Sequence, residues 1–218
     1  MLNCYQLKLP TLSAGLNQEL FALAQTLKAE NGYDLINAQE INRDTQRWIE
    51  YHTQTNTSRT SYIVLNLSQI LQSKLKIEMA NQLFPISAIN FYLQLITGGE
   101  KLMPHRDPKR TLSILYNISE DNATTHFYKT TSTDPDQHLY SLNEIEKTES
   151  YQMKPYKWYS FNNAAIHGVE GVYKNRVAIT CDISAQPELG LSDHDTFCKI
   201  YNELLVHPDG LEPPTFAV

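Results

Sequence analysis

The residues of this chain whose types and spacing best suit chemistry are His105 and Asp107, in the run Pro104-His105-Arg106-Asp107-Pro108, and, far downstream, His167 and Arg176. His105 and Asp107 are two positions apart, which in an extended chain puts both side chains on one face. The prolines favour extension, because each biases the residue before it away from the α region. An imidazole and a carboxylate at such a site are two of the three ligands of a 2-His-1-carboxylate triad, the arrangement that leaves open positions on a non-haem ferrous ion. By itself the pair also fits a hydrogen-bonded turn in which Asp107 orients His105. His167 offers the third ligand, and Arg176 follows it by nine residues. A buried guanidinium without a partner is costly, so Arg176 should meet a carboxylate. That partner is either a protein acid such as Asp182 or Glu170, or the far carboxylate of a dicarboxylic cosubstrate held by a bidentate pair.

These residues need a scaffold, and the pattern from Ile86 onward is one of alternation. Ile89, Phe91, Leu93 and Leu95 point one way, and Asn90, Tyr92 and Gln94 the other. Gly98-Gly99 turns the chain into the His-Arg-Asp run. Further strands are expected over Thr111–Ile118, Thr124–Lys129, Trp158–Phe161, Ile166–Val172 and Arg176–Ile183. In the last of these, Val177, Ile179, Cys181 and Ile183 form an apolar face, while Arg176, Ala178, Thr180 and Asp182 form the other. An arginine heading a face of small and polar residues suits the inside of a barrel that holds a polar ligand. Short strands separated by turn residues imply an antiparallel barrel or jelly roll. The polar excursion from Thr130 to about Ser150 reads either as a lid over the barrel mouth or as a solvated loop.

Helices flank this β core. Leu16, Leu20, Leu23 and Leu27 make one helical face, and Leu71, Leu75, Met79 and Leu83 another within Ser68–Leu83. Tyr62–Leu65 reads as a strand, and the polar stretch from Asn42 to Ser61 has no assignment. A short helix is expected over Thr196–Val206, followed by a disordered tail from Pro208. The expected organisation is therefore a mostly helical segment over residues 1–85, a β core over 86–185, and a C-terminal helix and tail over 186–218.

At 218 residues the chain fits one domain with a sizeable core. A formal charge of −6 argues against a nucleic-acid footprint, which would show clustered Lys and Arg. Cys4, Cys181 and Cys198 are too few and scattered for a disulfide framework or a Cys-rich zinc site. No leader and no membrane-spanning apolar run is visible, so the expectation is a soluble cytoplasmic protein.

The order His105-x-Asp107, His167, Arg176 on short alternating strands resembles the Fe(II)/2-oxoglutarate-dependent oxygenases of the double-stranded β-helix (jelly roll, cupin-like) fold. Thr111–Ile118 followed by Thr125-His126-Phe127-Tyr128 is similar to the strands after the His-x-Asp motif in small prolyl-hydroxylase-like members. Phe161-Asn162-Asn163 through His167, and Arg176 through Ile183, resemble the aspartyl/asparaginyl β-hydroxylase group and the related free-proline hydroxylases. The likeness spans roughly residues 86–185. Some members of the second group lack the carboxylate ligand, whereas this chain keeps Asp107, which also speaks against a halogenase.

The resemblance implies that His105, Asp107 and His167 bind Fe(II). It implies that 2-oxoglutarate chelates the metal through its keto-acid end while Arg176 holds the other carboxylate. With O2, such an enzyme hydroxylates an unactivated C–H bond and releases succinate and CO2. Tyr116 is a candidate to hydrogen-bond the cosubstrate, although by strand parity it shares a face with Leu112, Ile114 and Ile118 and equally suits the core. Thr180 shares the face of Arg176 and would support it. His126 and His138 are weaker metal candidates. Arg106 points away from the ligands, toward solvent or an anionic substrate. The substrate expected is an amino acid, peptide or small metabolite, with no nucleic-acid or membrane partner, and the sequence leaves the oligomeric state open. Two rival readings remain: a cupin-like Zn or Ni hydrolase or isomerase, and a jelly-roll binding module without catalysis.

Overall fold

A computed structural model describes residues 3–26, 62–79, 90–99, 101–107, 111–134, 136–182, 194 and 197. The strands are β1 (Cys4–Leu7), β2 (Tyr62–Asn66), β3 (Phe91–Ile96), β4 (Leu102–His105), β5 (Leu112–Asn117), β6 (Thr124–Thr130), β7 (Ile145–Gln152), β8 (Lys157–Asn162), β9 (Ile166–Glu170) and β10 (Arg176–Asp182). Among the described residues, the helices α1 (Ala14–Thr26) and α2 (Gln69–Glu78) precede most of them.

The strands form two antiparallel sheets, a main one ordered β1-β8-β5-β10-β3-β2 and a second ordered β4-β9-β6-β7. Strands far apart in sequence lie side by side, as in a jelly roll. The alternation read from the sequence explains how β10 is used. Along β10, Val177, Ile179 and Cys181 enter the core under the helices, while Ala178 joins a second cluster with Leu115, Phe127 and Phe161. That second cluster joins strands of both sheets, so their inner faces pack on each other. β5 lies mid-sheet between helices and second sheet, and all six of its residues are buried.

The helices cover the outer face of the main sheet. Leu16, Leu20 and Ala24 of α1, and Leu71 and Leu75 of α2 with Met79 beyond it, pack against Leu93, Leu95, Ile114, Trp158 and Ile179. The starts of both helices are tied by side chains. The Ser13 backbone N–H donates to Glu78 at 2.7 Å, joining the start of α1 to the end of α2, and Ser68 Oγ accepts the Leu71 N–H. Buried Gln72 clips α2 to the start of β3, donating to Phe91 O at 2.7 Å and accepting from Phe91 N–H at 2.9 Å. The segment before residue 86 thus supplies two strands of the main sheet as well as helices. Among the described residues no helix is long and apolar enough to cross a membrane.

The polar excursion differs from its expectation. Ile145–Gln152 is a strand, β7, at the edge of the second sheet and paired with β6. Its sequence, IEKTESYQ, leaves most side chains exposed and lacks the apolar alternation that marks a strand. The remainder is stitched down beside β4. Tyr140 N–H donates to Pro104 O at 3.0 Å, Arg106 N–H donates to His138 O at 3.0 Å, and Leu139 bridges to His105. Neither a free lid nor a purely solvated loop describes it. His194 and Phe197 are helical and buried against the main sheet, two residues ahead of the expected start for His194. The rest of the expected C-terminal helix, the tail, the 42–61 stretch and residues 80–89 lie outside the described residues.

Candidate functional site

The site begins with the pairing of β4 and β9, which sets His105 directly across from His167. Their ring centroids are 4.3 Å apart. Each ring is held through Nδ1, which lies 2.8 Å from Met103 O for His105 and 2.9 Å from Ala165 O for His167. A carbonyl oxygen only accepts, so both Nδ1 atoms carry a proton, and in a neutral ring that leaves the lone pair on Nε2. An imidazole fixed in this way through its other nitrogen is the usual state of a metal-ligating histidine. Phe161 meets the His167 ring edge-on at 4.8 Å and Phe127 lies 6.1 Å away, which restricts its rotation.

Asp107 lies two residues beyond the end of β4 and is held by the turn between β8 and β9. Its N–H donates to Asn163 O at 3.1 Å, and Asn163 Nδ2 donates to its Oδ2 at 2.7 Å. Its other oxygen, Oδ1, is 3.9 Å from His105 Nε2. The same turn serves His167. Asn162 Oδ1 accepts from Ala164 N–H and Ala165 N–H, an Asx turn that presents the Ala165 carbonyl to the His167 ring.

Arg176 heads β10 and is 6% exposed. Nη1 donates to Thr125 Oγ1 at 3.1 Å, and Nη2 lies 3.3 Å from Met153 Sδ. The rival partner Glu170 turns the other way, pairing with His126 at 3.3 Å and Lys147 at 3.8 Å. Between the sheets, one cavity is lined by His105, Asp107, His167, Arg176 and Thr180 together, with Ala178 leaving room between the last two and Gln94 opposite it. Ile96, Leu102, Leu115, Phe161 and Val169 give it apolar walls. It is a polar-ended pocket of the kind that holds a small ligand.

The donor types fit an ion of the ferrous kind, two imidazole nitrogens and a carboxylate oxygen. Among the described residues, though, no group of three or more His, Cys, Asp and Glu side chains is placed closely enough to hold a metal ion as it stands. Two ligands at right angles with bonds of about 2.1 Å sit about 3 Å apart, so the 3.9 Å between His105 Nε2 and Asp107 Oδ1 must close by about 1 Å.

Tyr116 stands elsewhere, and the expectation that it reaches the cosubstrate is corrected. It is wholly buried in the core under the helices. Its ring lies 4.7 Å from Trp158, and its hydroxyl oxygen accepts the Leu12 N–H at 3.2 Å. Strand parity is the reason: Tyr116 faces the helices with Leu112 and Ile114, while Ser113 and Leu115 face the cavity. Burial, the largest influence, raises its pKa, so it is a neutral core phenol. His126 lies on the outer face of the second sheet, with Nδ1 2.8 Å from Ser150 Oγ, and neither it nor His138 lines the cavity. Arg106 is turned out as expected but is engaged by the loop. Nε donates to Gln137 O at 2.8 Å and Nη2 to Asp134 O at 3.3 Å, with the guanidinium 5.9 Å from the Tyr140 ring centre.

Sequence reasoning missed Asn163, Ser113, Thr125 and Gln94 as cavity residues. Strand parity alone would have found Gln94 and Ser113. Asn163 sits in a turn, where parity gives no direction.

No family model matches the chain, and no curated protein matches it. Solved structures similar to it include a prolyl-4-hydroxylase from Pseudomonas putida, at 14% identity over 83% of this chain and 91% of that one, with a TM-score of 0.44. Another is a prolyl hydroxylase from Trichoplax adhaerens, solved with a hypoxia inducible factor oxygen degradation domain peptide. It is 14% identical over 88% of each chain, with a TM-score of 0.45.

Proposed function

We propose that the chain is an Fe(II)- and 2-oxoglutarate-dependent oxygenase that hydroxylates an unactivated C–H bond of an amino acid, peptide or small metabolite. The observation that carries the reading is that two histidines, each held at Nδ1 by a backbone carbonyl, a carboxylate and a buried arginine line one cavity. In this reading His105, Asp107 and His167 hold the metal. Two neutral imidazoles and one carboxylate leave a net charge near +1 on a divalent ion, which favours an anionic chelator. Ferrous iron bound there would supply the oxidation, in which O2 and 2-oxoglutarate convert R–H to R–OH with succinate and CO2.

The remaining work falls to the chain's own residues. Arg176, fixed by Thr125, offers a charge-assisted bidentate grip for the distal carboxylate of the cosubstrate. Thr180, on the same face of β10, supports that end. Phe127 and Phe161 keep the His167 ring in place, and the apolar walls at Leu102, Leu115 and Val169 keep water from the reacting centre. The polar group at Gln94 supplies hydrogen bonds for an amino-acid-like substrate.

The experiment is anaerobic addition of Fe(II) and then 2-oxoglutarate, followed by succinate production over a panel of amino acids and peptides. A visible metal-to-ligand charge-transfer band and substrate-dependent succinate are expected. A folded protein that takes up Zn(II) or Ni(II), never develops the band and makes no succinate would overturn the reading in favour of a hydrolase or isomerase.

A further inference from the structure

The side chain of Asn163 does something the fold does not require of it. Its backbone alone docks the β8–β9 turn, since Asn163 O accepts the Asp107 N–H at 3.1 Å and Asn163 N–H donates to Thr111 O at 3.2 Å. The side chain adds a contact aimed at a single atom, from Nδ2 to Asp107 Oδ2 at 2.7 Å. Asn163 is 5% exposed and lines the cavity beside Asp107.

The orientation of the amide follows from its neighbours. An ionised carboxylate can only accept, so the NH2 group must face Asp107. The carbonyl end then faces Ser113, whose buried hydroxyl donates to Asn163 Oδ1. Ser113 thereby locks the amide against a flip. The relay Ser113 to Asn163 to Asp107 ends on Oδ2 and leaves Oδ1 on the side of the His105 Nε2 atom.

Which oxygen is held matters, because a carboxylate can bind an ion through one oxygen or through both. Bidentate binding would use a coordination position that a chelating cosubstrate or O2 needs. We propose that Asn163 is a positioning residue that holds Asp107 Oδ2 through a Ser113-locked amide, so that Asp107 meets the metal through Oδ1 alone. This rests on the metal-centre reading of His105, Asp107 and His167.

The test uses Co(II), whose visible bands report coordination number, on the metal-free full chain. The wild type should bind one equivalent, with bands that shift when 2-oxoglutarate is added. Asn163→Ala should bind Co(II) 10- to 100-fold more weakly, the usual cost of losing a partner behind a ligand. It should also have altered bands and a diminished response to 2-oxoglutarate. Ser113→Ala, which keeps the amide but frees it to turn, should move the same bands in the same direction by less. If Asn163→Ala does not fold, Ser113→Ala decides. Wild-type bands and a wild-type 2-oxoglutarate response in the folded variants would overturn the proposal, even with weaker binding, since general loosening explains that. Failure of the wild type itself to bind Co(II) would overturn the metal-centre reading on which it stands.

Discussion

His105 and His167 face each other across the β4–β9 pair with ring centroids 4.3 Å apart, and the backbone between them is unusually close. A Cβ built on Gly168 would lie 2.9 Å from Leu102 O and 3.3 Å from Pro104 N. Glycine here lets β9 close onto β4, next to a register shift between Leu102 and His105. Gly168→Ala should cost about 1–3 kcal/mol of stability, as overpacking does. It should also part the two rings, so that metal affinity falls by more than stability alone explains. Urea unfolding of the metal-free protein beside a Co(II) titration separates the two, and unchanged Co(II) affinity would show that the close approach does not set the ligand spacing.

Arg176 is buried and fixed by Thr125, on β10 of the main sheet, while His105 and His167 lie on β4 and β9 of the second. Its truncation should act on the cosubstrate and leave the metal alone. Arg176→Met keeps the apolar volume and removes the charge, and losing a charged hydrogen-bond partner costs about 1.5–3 kcal/mol. The concentration of 2-oxoglutarate giving half-maximal succinate production should therefore rise about 10- to 100-fold. Fe(II) or Co(II) affinity should stay within a few-fold of wild type, and an equal loss of both would mark Arg176 as structural.

Arg106 sits between two cavity residues yet serves the opposite face. Its bonds to Gln137 O and Asp134 O and its contact with Tyr140 pin the 131–144 segment against β4. Arg106→Ala should speed hydrogen exchange and limited proteolysis within residues 131–140, while β5 and β10 keep their protection. If cleavage at that segment is unchanged, the backbone bonds at Pro104 and His138 suffice to hold it.

Much of the cavity lining was legible because strand parity is simple physics. The alternation in β10 separated Arg176, Ala178 and Thr180 from Val177, Ile179 and Cys181, and the cavity and the core divide them in just that way. Parity also offered the core as the alternative for Tyr116, and that is where it lies. What parity could not reach was the edge and the turn. β7 carries almost no apolar signal because one of its neighbours is solvent. The Asn163 side chain takes its direction from tertiary hydrogen bonds with Ser113 and Asp107, fifty and fifty-six residues away, and no local pattern encodes those.

His126 gives the fold a pH dependence separate from the cavity. It lies against Ser150, Glu170, Lys147 and Tyr128 on the outer face of the second sheet. Burial, and then the Lys147 charge, lower its pKa from 6.5, outweighing the opposite pull of Glu170. Above pH 6.5 the imidazole is neutral in both folded and unfolded chains, and its contribution is fully present. Below 6.5 the unfolded chain takes up a proton that the folded state resists, so stability falls as the pH drops toward the lower folded value. His126→Gln keeps a polar partner for Ser150 but removes the titration. Its urea midpoint should fall less than that of the wild type between about pH 7 and pH 5. Parallel slopes for the two proteins would mean that other groups carry the acid sensitivity.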